Sequence, residues 1–175
     1  MTRVYVSVGS NIEREHNIRS GLAALRKRFG DLTVSSTYES KAYGFEGDNF
    51  YNLVVGFDSD EELHSVVRAL QDIEDRHGRV RSGPRYSSRT LDLDLLIYGD
   101  LQLHEPGLVL PRPDILKRAF VLGPLAEIAG ALKHPVAGKT YAELWRAMDK
   151  RTQSIWQVTI SGLNDPQQVE LHRAQ

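Results

Sequence analysis

Two aspartates one residue apart, Asp92 and Asp94 in the run Leu91-Asp92-Leu93-Asp94-Leu95, carry the clearest capacity for chemistry in this chain. On an extended strand alternate side chains share a face, so both carboxylates project the same way, roughly 7 Å apart at Cα. Such a pair suits magnesium, which prefers hard oxygen ligands, keeps several waters and binds through one or two carboxylates plus substrate phosphates. The same alternation is also what a half-buried strand with one wet face displays. Four arginines just upstream, Arg79, Arg81, Arg85 and Arg89, shift the balance toward a polyphosphate ligand. Guanidinium groups fork onto phosphate oxygens and stabilise the charge that spreads during phosphoryl transfer. Taken alone, those arginines also read as a solvated basic loop. A second basic set, Arg112, Lys117 and Arg118, follows the aspartates, and no glycine-rich loop ending in Lys-Ser or Lys-Thr occurs. Phosphates must therefore be held by side chains rather than by a P-loop.

The elements that position these residues are legible from periodicity. Val4, Tyr5, Val6 and Val8 form a β-rich run that stops at Gly9-Ser10-Asn11. From about residue 14, Ile18, Leu22, Leu25 and Phe29 recur at helical spacing, and Gly30-Asp31 supplies the stop. Residues 32–38 and 50–57 read as the second and third strands, and the glycine-containing stretch 42–48 between them reads as a functional loop. Ser59 and Glu62 have the spacing of a capping box, predicting a helix that carries Leu63, Val66, Val67, Leu70 and Ile73 as far as His77-Gly78. Residues 79–89 read as a mobile loop and 90–98 as the fourth strand.

The order β-α-β-β-α-β predicts an α+β, ferredoxin-like domain: an antiparallel sheet with helices packed on one face. Beyond the prolines at 111 and 113, residues 119–129 and 140–148 read as extra C-terminal helices. The expected organisation is a catalytic domain over 1–148 and a loosely held polar tail over 149–175.

Composition narrows the function classes. With 175 residues, 41% hydrophobic and 26% charged, the chain can bury one core without staples. It has no cysteine, which excludes disulfides, thiolate zinc sites and a cysteine nucleophile. No secretory h-region and no apolar run of membrane length occurs, so a cytoplasmic protein with no membrane partner is expected. A formal net charge of −1 gives no global attraction to nucleic acid, so anion binding must be local.

Several ordered motifs span residues 3–145: Val6-Ser7-Val8-Gly9-Ser10-Asn11, Phe50-Tyr51-Asn52, Gly78-Arg79-Val80-Arg81, Arg89-Thr90-Leu91-Asp92-Leu93-Asp94, and Arg118-Ala119-Phe120-Val121-Leu122 with Pro124-Leu125. In these the chain resembles the 6-hydroxymethyl-7,8-dihydropterin pyrophosphokinases of folate biosynthesis. Members are ferredoxin-like, transfer the β,γ-diphosphate of ATP to the pterin hydroxymethyl group, release AMP and use two magnesium ions. The resemblance implies the same reaction here, with ATP as co-substrate and a dihydropterin as acceptor, and the chain is expected to act as a monomer. By position it implies that Asp92 and Asp94 bridge the two metal ions and that Arg79 and Arg89 neutralise the transferring phosphates. It likewise implies that Glu74, Arg81, Arg112 and Arg118 lie along the nucleotide, and that Ser40, Ala42, Tyr43, Phe50, Asn52 and Phe120 frame the pterin. A flat heterocycle suits such a slot, since rings stack and an amide both donates and accepts. Judged singly, Phe50 and Phe120 also read as core. Positioning and charge neutralisation can drive the transfer, with Asp94 or a metal-bound water as proton acceptor.

The chain departs from the family pattern at three places. Arg112 stands where members have histidine after proline, and Tyr86-Ser87-Ser88 stands where they have tryptophan, glycine and proline. Ser40-Lys41-Ala42-Tyr43 replaces a proline-containing run. Two rival readings are a paralogue that keeps the fold and a related ligand while its catalysis has changed, and a ferredoxin-like RNA-binding module. The missing RNP-type aromatics and the acidic pair on the fourth strand count against the RNA module.

Overall fold

Along β1 (Thr2–Ser10), Val4, Val6 and Val8 alternate with Tyr5, Ser7 and Gly9, so one face of the strand is aliphatic and the other is not. This alternation organises the computed structural model, which describes residues 1–78, 90–160 and 163. After β1 come α1 (Arg14–Phe29), β2 (Thr33–Val34), β3 (Thr37–Ser40), β4 (Phe50–Ser59), α2 (Leu63–Arg76) and β5 (Asp92–Tyr98). A short hairpin, β6 (Leu103–Glu105) and β7 (Leu108–Leu110), leads to a 3-10 turn at Pro113–Leu116, then α3 (Ala119–Ala129), α4 (Tyr141–Ala147) and β8 (Ile155–Val158). The main sheet has the order β5-β1-β4-β3-β8, with β2 also paired to β4, and every pairing is antiparallel. The expected ferredoxin-like arrangement is therefore present.

On one face, the valines of β1, Leu53, Val55 and Phe57 of β4, and Leu93 and Leu95 of β5 pack against Ile18, Leu22 and Leu25 of α1 and Val66, Leu70 and Ile73 of α2. Each such side chain contributes about 1.5–3 kcal/mol on full burial. The two core helices thus share one face, as expected. The added helices cover the opposite face, where Ile115, Val121, Leu122, Leu125 and Tyr141 pack on Tyr5, Val54, Leu96 and Ile97. A register shift opposite Tyr5/Val6 inserts Leu96 into β5, which turns Leu95 to the first face and Leu96 to the second.

Four local expectations need correction. The strand read over 32–38 is broken at Ser35, whose hydroxyl accepts the Val54 N–H (2.9 Å) and donates to the Ser36 carbonyl. Side-chain bonding there competes with the backbone ladder. The cap of α2 is Glu62, whose carboxylate accepts the His64 N–H, while Ser59 Oγ accepts the Glu61 N–H one turn too early to cap. The hairpin at 103–110 escaped notice because its strands are three residues each. Within the tail expected to be loose from about Asp149 onward, Ile155–Val158 form the edge strand β8 against β3, with Ser40 opposite Ile155, and residues 161, 162 and 164–175 lie outside the described residues.

Between α3 and α4, His134 is buried and its Nδ1 accepts two backbone N–H groups, those of Val136 (3.1 Å) and Ala137 (3.0 Å). Burial pushes its pKa below the ordinary value of 6.5. The unfolded chain then takes up the proton first, so this contribution to stability is full above 6.5 and is lost as pH falls toward the folded value. Exposed His64 is raised by hydrogen bonds to Glu62 and then Glu105, and so works in the other direction. The thermal midpoint should fall between about pH 7 and pH 5 with a slope that lessens in His134→Asn, whose amide oxygen accepts at either pH; an unchanged slope in the variant would sink this assignment.

Candidate active site

Strand parity assembles the site. Gly9 lies opposite both Asp92 on β5 and Asn52 on β4, Ser7 lies opposite Asp94, and Asn52 lies opposite Tyr38 on β3, two residues before Ser40. All of these share the face that α1 and α2 do not cover. Asn52 and Ser40 are buried, and the amide Nδ2 donates to Ser40 Oγ at 2.7 Å. A Cβ on Gly9 would stand 3.2 Å from Asn52 Oδ1 and 3.8 Å from Phe50 Cδ1, so the missing side chain keeps the floor between the aspartates and the asparagine open.

The resulting cavity has Ser7, Gly9, Asn52, Asp92 and Asp94 from the sheet, Ser40, Lys41, Tyr43, Phe45 and Phe50 from β3, β4 and their connecting loop, and Arg112, Asp114, Arg118 and Phe120 from the chain entering α3. Phe45 meets Phe50 edge to face, with centroids 6.3 Å apart. The Arg118 guanidinium lies 3.7 Å from the Tyr43 ring centroid, a cation–π contact. Arg112 reaches Asp94 at 3.6 Å and Asp114 at 3.2 Å, and its backbone N–H donates to the Leu96 carbonyl. Burial tends to lower the Arg112 pKa, but the charges of Asp94 and Asp114, the Asp114 hydrogen bond and the charge of Asp92 outweigh it and hold the group above its ordinary value. Arg112 is thus a fixed cation.

Of the residues expected around the pterin, Ser40, Tyr43, Phe50, Asn52 and Phe120 line this cavity. Ala42 does not: it lines the neighbouring cleft, which Tyr43 and Arg118 share with Arg151, Gln153 and Ile155. Asp92, Asp94, Arg112 and Arg118 line the same cavity, whereas Arg79, Arg81, Arg85 and Arg89 lie outside the described residues. Glu74 is not on the cavity wall. It is buried on α2, behind β5, where its Oε2 accepts the Leu93 N–H at 2.9 Å, between the two aspartates. Sequence reasoning missed Gly9 as the floor, Phe45 as a ring partner and Asp114 as the second anchor of Arg112. The Gly9-Ser10-Asn11 stop was a signal for the first, while the other two depend on loop paths that carry no period.

The carboxylates fit a magnesium ion in donor type, both being hard oxygen ligands on one cavity. Among the described residues no group of three or more histidine, cysteine, aspartate or glutamate side chains could hold a metal. An ion here would need the remaining ligands from water and substrate. No helix of the described residues is long and apolar enough to cross a membrane.

Fold and cavity together define a class: a ferredoxin-like domain with a cavity of charged side chains and aromatic rings on one sheet face. The family model for 7,8-dihydro-6-hydroxymethylpterin-pyrophosphokinase (HPPK) matches residues 5–130, and the chain belongs to this family. It is 37% identical over 139 residues to the 2-amino-4-hydroxy-6-hydroxymethyldihydropteridine pyrophosphokinase of Synechocystis, covering 77% of this chain and 70% of that protein. It is 36% identical to the enzyme of that name from Porphyromonas gingivalis, covering 78% of this chain and 97% of the relative. The folic acid synthesis protein fol1 of Pneumocystis carinii is 37% identical over 147 residues, but the chain spans only 19% of its length. A solved Plasmodium falciparum HPPK-DHPS triple mutant superposes with a TM-score of 0.67 at 15% identity, over 83% of this chain and 41% of that one, and shares the fold.

Removing the Glu74 carboxylate would leave the Leu93 N–H without this acceptor in a buried setting. Glu74→Ala should cost about 1–3 kcal/mol of unfolding free energy, and Glu74→Gln, which keeps an acceptor oxygen, should recover most of it. Urea unfolding decides; a loss under about 0.5 kcal/mol in the alanine variant, the range of ordinary surface changes, would refute the brace.

Proposed function

We propose that this chain transfers the β,γ-diphosphate of ATP to the hydroxymethyl group of 6-hydroxymethyl-7,8-dihydropterin and releases AMP. The observation that carries this reading is the juxtaposition, within one cavity of a family member, of the Asp92 and Asp94 carboxylates with the slot framed by Ser40, Asn52, Phe50 and Phe120. The pterin hydroxyl oxygen bonds to the β-phosphorus, the bond from that phosphorus to the oxygen bridging to the α-phosphate breaks, and AMP departs with the electron pair.

Each step then falls to particular side chains. Stacking on Phe50 and Phe120 orients the heterocycle, and the Asn52 and Ser40 polar atoms read its edge. Lys41 and Arg112 offset the charge that develops on the leaving and transferring oxygens, which lowers the barrier, while Arg118 binds the nucleotide in ground and transition state alike. Asp94 accepts the hydroxyl proton. Asp92 and Asp94 would hold magnesium, two ions in our reading, which would supply charge neutralisation at the phosphates. Arg79 and Arg89 complete the cationic set in this proposal, with Arg81 beside the nucleotide. The cytoplasm, where ATP and magnesium are abundant, suits a cysteine-free chain of this kind.

The test is AMP release from ATP and magnesium, with and without the dihydropterin. AMP should form only with the pterin present, and Asp92→Ala and Asp94→Asn should each lower turnover at least about a hundredfold. Near-normal turnover in Asp94→Asn would remove it as proton acceptor. Absence of AMP while ATP still binds would favour a catalytically altered paralogue, the reading that Arg112 in the histidine position makes concrete.

A further inference from the structure

The family match ends at residue 130, yet chain beyond it contacts the elements that carry two walls of the cavity, β3 and the chain entering α3. Gln153 is the point of contact on one side. Its Oε1 accepts the Ala119 N–H at 3.0 Å and its Nε2 donates to the Lys117 carbonyl at 3.0 Å. These are the two peptide groups that flank the Cα of Arg118. Rotation about the N–Cα and Cα–C bonds of Arg118 moves one peptide plane relative to the other. A single planar amide bonded to both therefore restrains φ and ψ together, and with them the direction in which the side chain leaves the backbone.

The restraint adds to local ones: the Arg118 N–H donates to the Asp114 carbonyl at 2.8 Å, and its carbonyl accepts the N–H groups of Val121 (3.1 Å) and Leu122 (3.0 Å). Arg118 is extended, with φ −119 and ψ 120, at the junction of the 3-10 turn and α3, and its side chain makes no capping bond to the helix. The Ala119 N–H is among the four donors that a helix start leaves without an intrahelical partner. The amide that satisfies it comes from a residue 34 positions away. Two residues further, Ile155 enters β8 opposite Ser40, and its Cδ1 stands 2.9 Å from where a Cβ on Gly123 of α3 would be. Gln153 is thus delivered by a segment held to β3 on one side and packed on α3 on the other.

We infer that Gln153 is a positioning residue for the diphosphate transfer, holding Arg118 over the Tyr43 ring at the cavity so that the guanidinium meets the nucleotide without first being ordered. The inference rests on the reading of Arg118 as a nucleotide contact. Ordering a long charged side chain on binding costs rotamer entropy, so a residue that aims it beforehand strengthens binding with little effect on the chemical step.

Binding of a non-hydrolysable ATP analogue with magnesium, measured calorimetrically on the full chain, tests this alongside steady-state kinetics. Gln153→Ala should weaken analogue binding and raise the KM for ATP about three- to tenfold with kcat within about twofold. In an Arg118→Ala background the same change should add nothing, because its effect acts through a side chain already removed. If Gln153→Ala does not fold, Gln153→Glu keeps the acceptor for Ala119 and loses the donor to Lys117, and should show the KM rise only while Arg118 is present. A variant that lowers only thermal stability, or effects that multiply in the double variant, would overturn the inference, as would a parent chain that does not bind the analogue. A parent that binds it but forms no AMP refutes the diphosphate transfer and leaves the positioning role to be decided by binding alone.

Discussion

Antiparallel register is the constraint on which this molecule depends. With Gly9 opposite Asp92 on one neighbour and Asn52 on the other, a single strand sets the separation of an acidic site and an amide site. Shifting either pairing by one residue would send the aspartates or the asparagine into the aliphatic core and bring leucine or valine to the cavity. The apolar face that α1 and α2 cover is therefore what makes the polar face reliable. The valines of β1 and the leucines of β5 lock the register because burying a carboxylate among them would cost far more than any gain at the site.

The second organising feature is charge balance in a partly enclosed space. Arg112 is close to Asp94 and Asp114 at once, so the cavity holds opposite charges side by side. Such a lining is not selective for net charge but for its distribution. A ligand that presents a metal-bound anion to the aspartates and free phosphate oxygens to the cations replaces each interaction with one of the same sign. A simple anion or a simple cation satisfies only half of the lining. Rings at Tyr43, Phe45, Phe50 and Phe120 bound the same space, so the charged and the flat parts of a ligand find separate walls.

How much of this could be read from sequence varied with the range of the interaction. The helices with long apolar stripes, Ile18 to Phe29 and Leu63 to Ile73, and the strand bearing the two aspartates were legible because each repeats its signal several times. The alternation at Asp92 and Asp94 also set their common face correctly. Features resting on one bond were not legible. Glu74 beside Ile73 looks like a surface acid, and only the fold brings it to Leu93; Ser59 and Glu62 matched a capping pattern, yet the bond runs from Glu62 alone. The strand at 155–158 pairs through its backbone while two of its four side chains are exposed, so its polarity concealed it. The arginines at 79, 81, 85 and 89 were the strongest compositional signal, and they lie outside the described residues.

Glu74 also bears on how the protein behaves among copies of itself. Among the described residues β5 has a strand neighbour on one side only, so its other side is a sheet edge of the kind that invites a second chain to pair. The Leu93 N–H, which would be a donor for such a pairing, is instead bonded to a carboxylate from the helix behind. An incoming strand would have to displace that bond before it could pair there. The residue that steadies the strand between its two aspartates therefore also occupies a donor that edge-to-edge pairing would need.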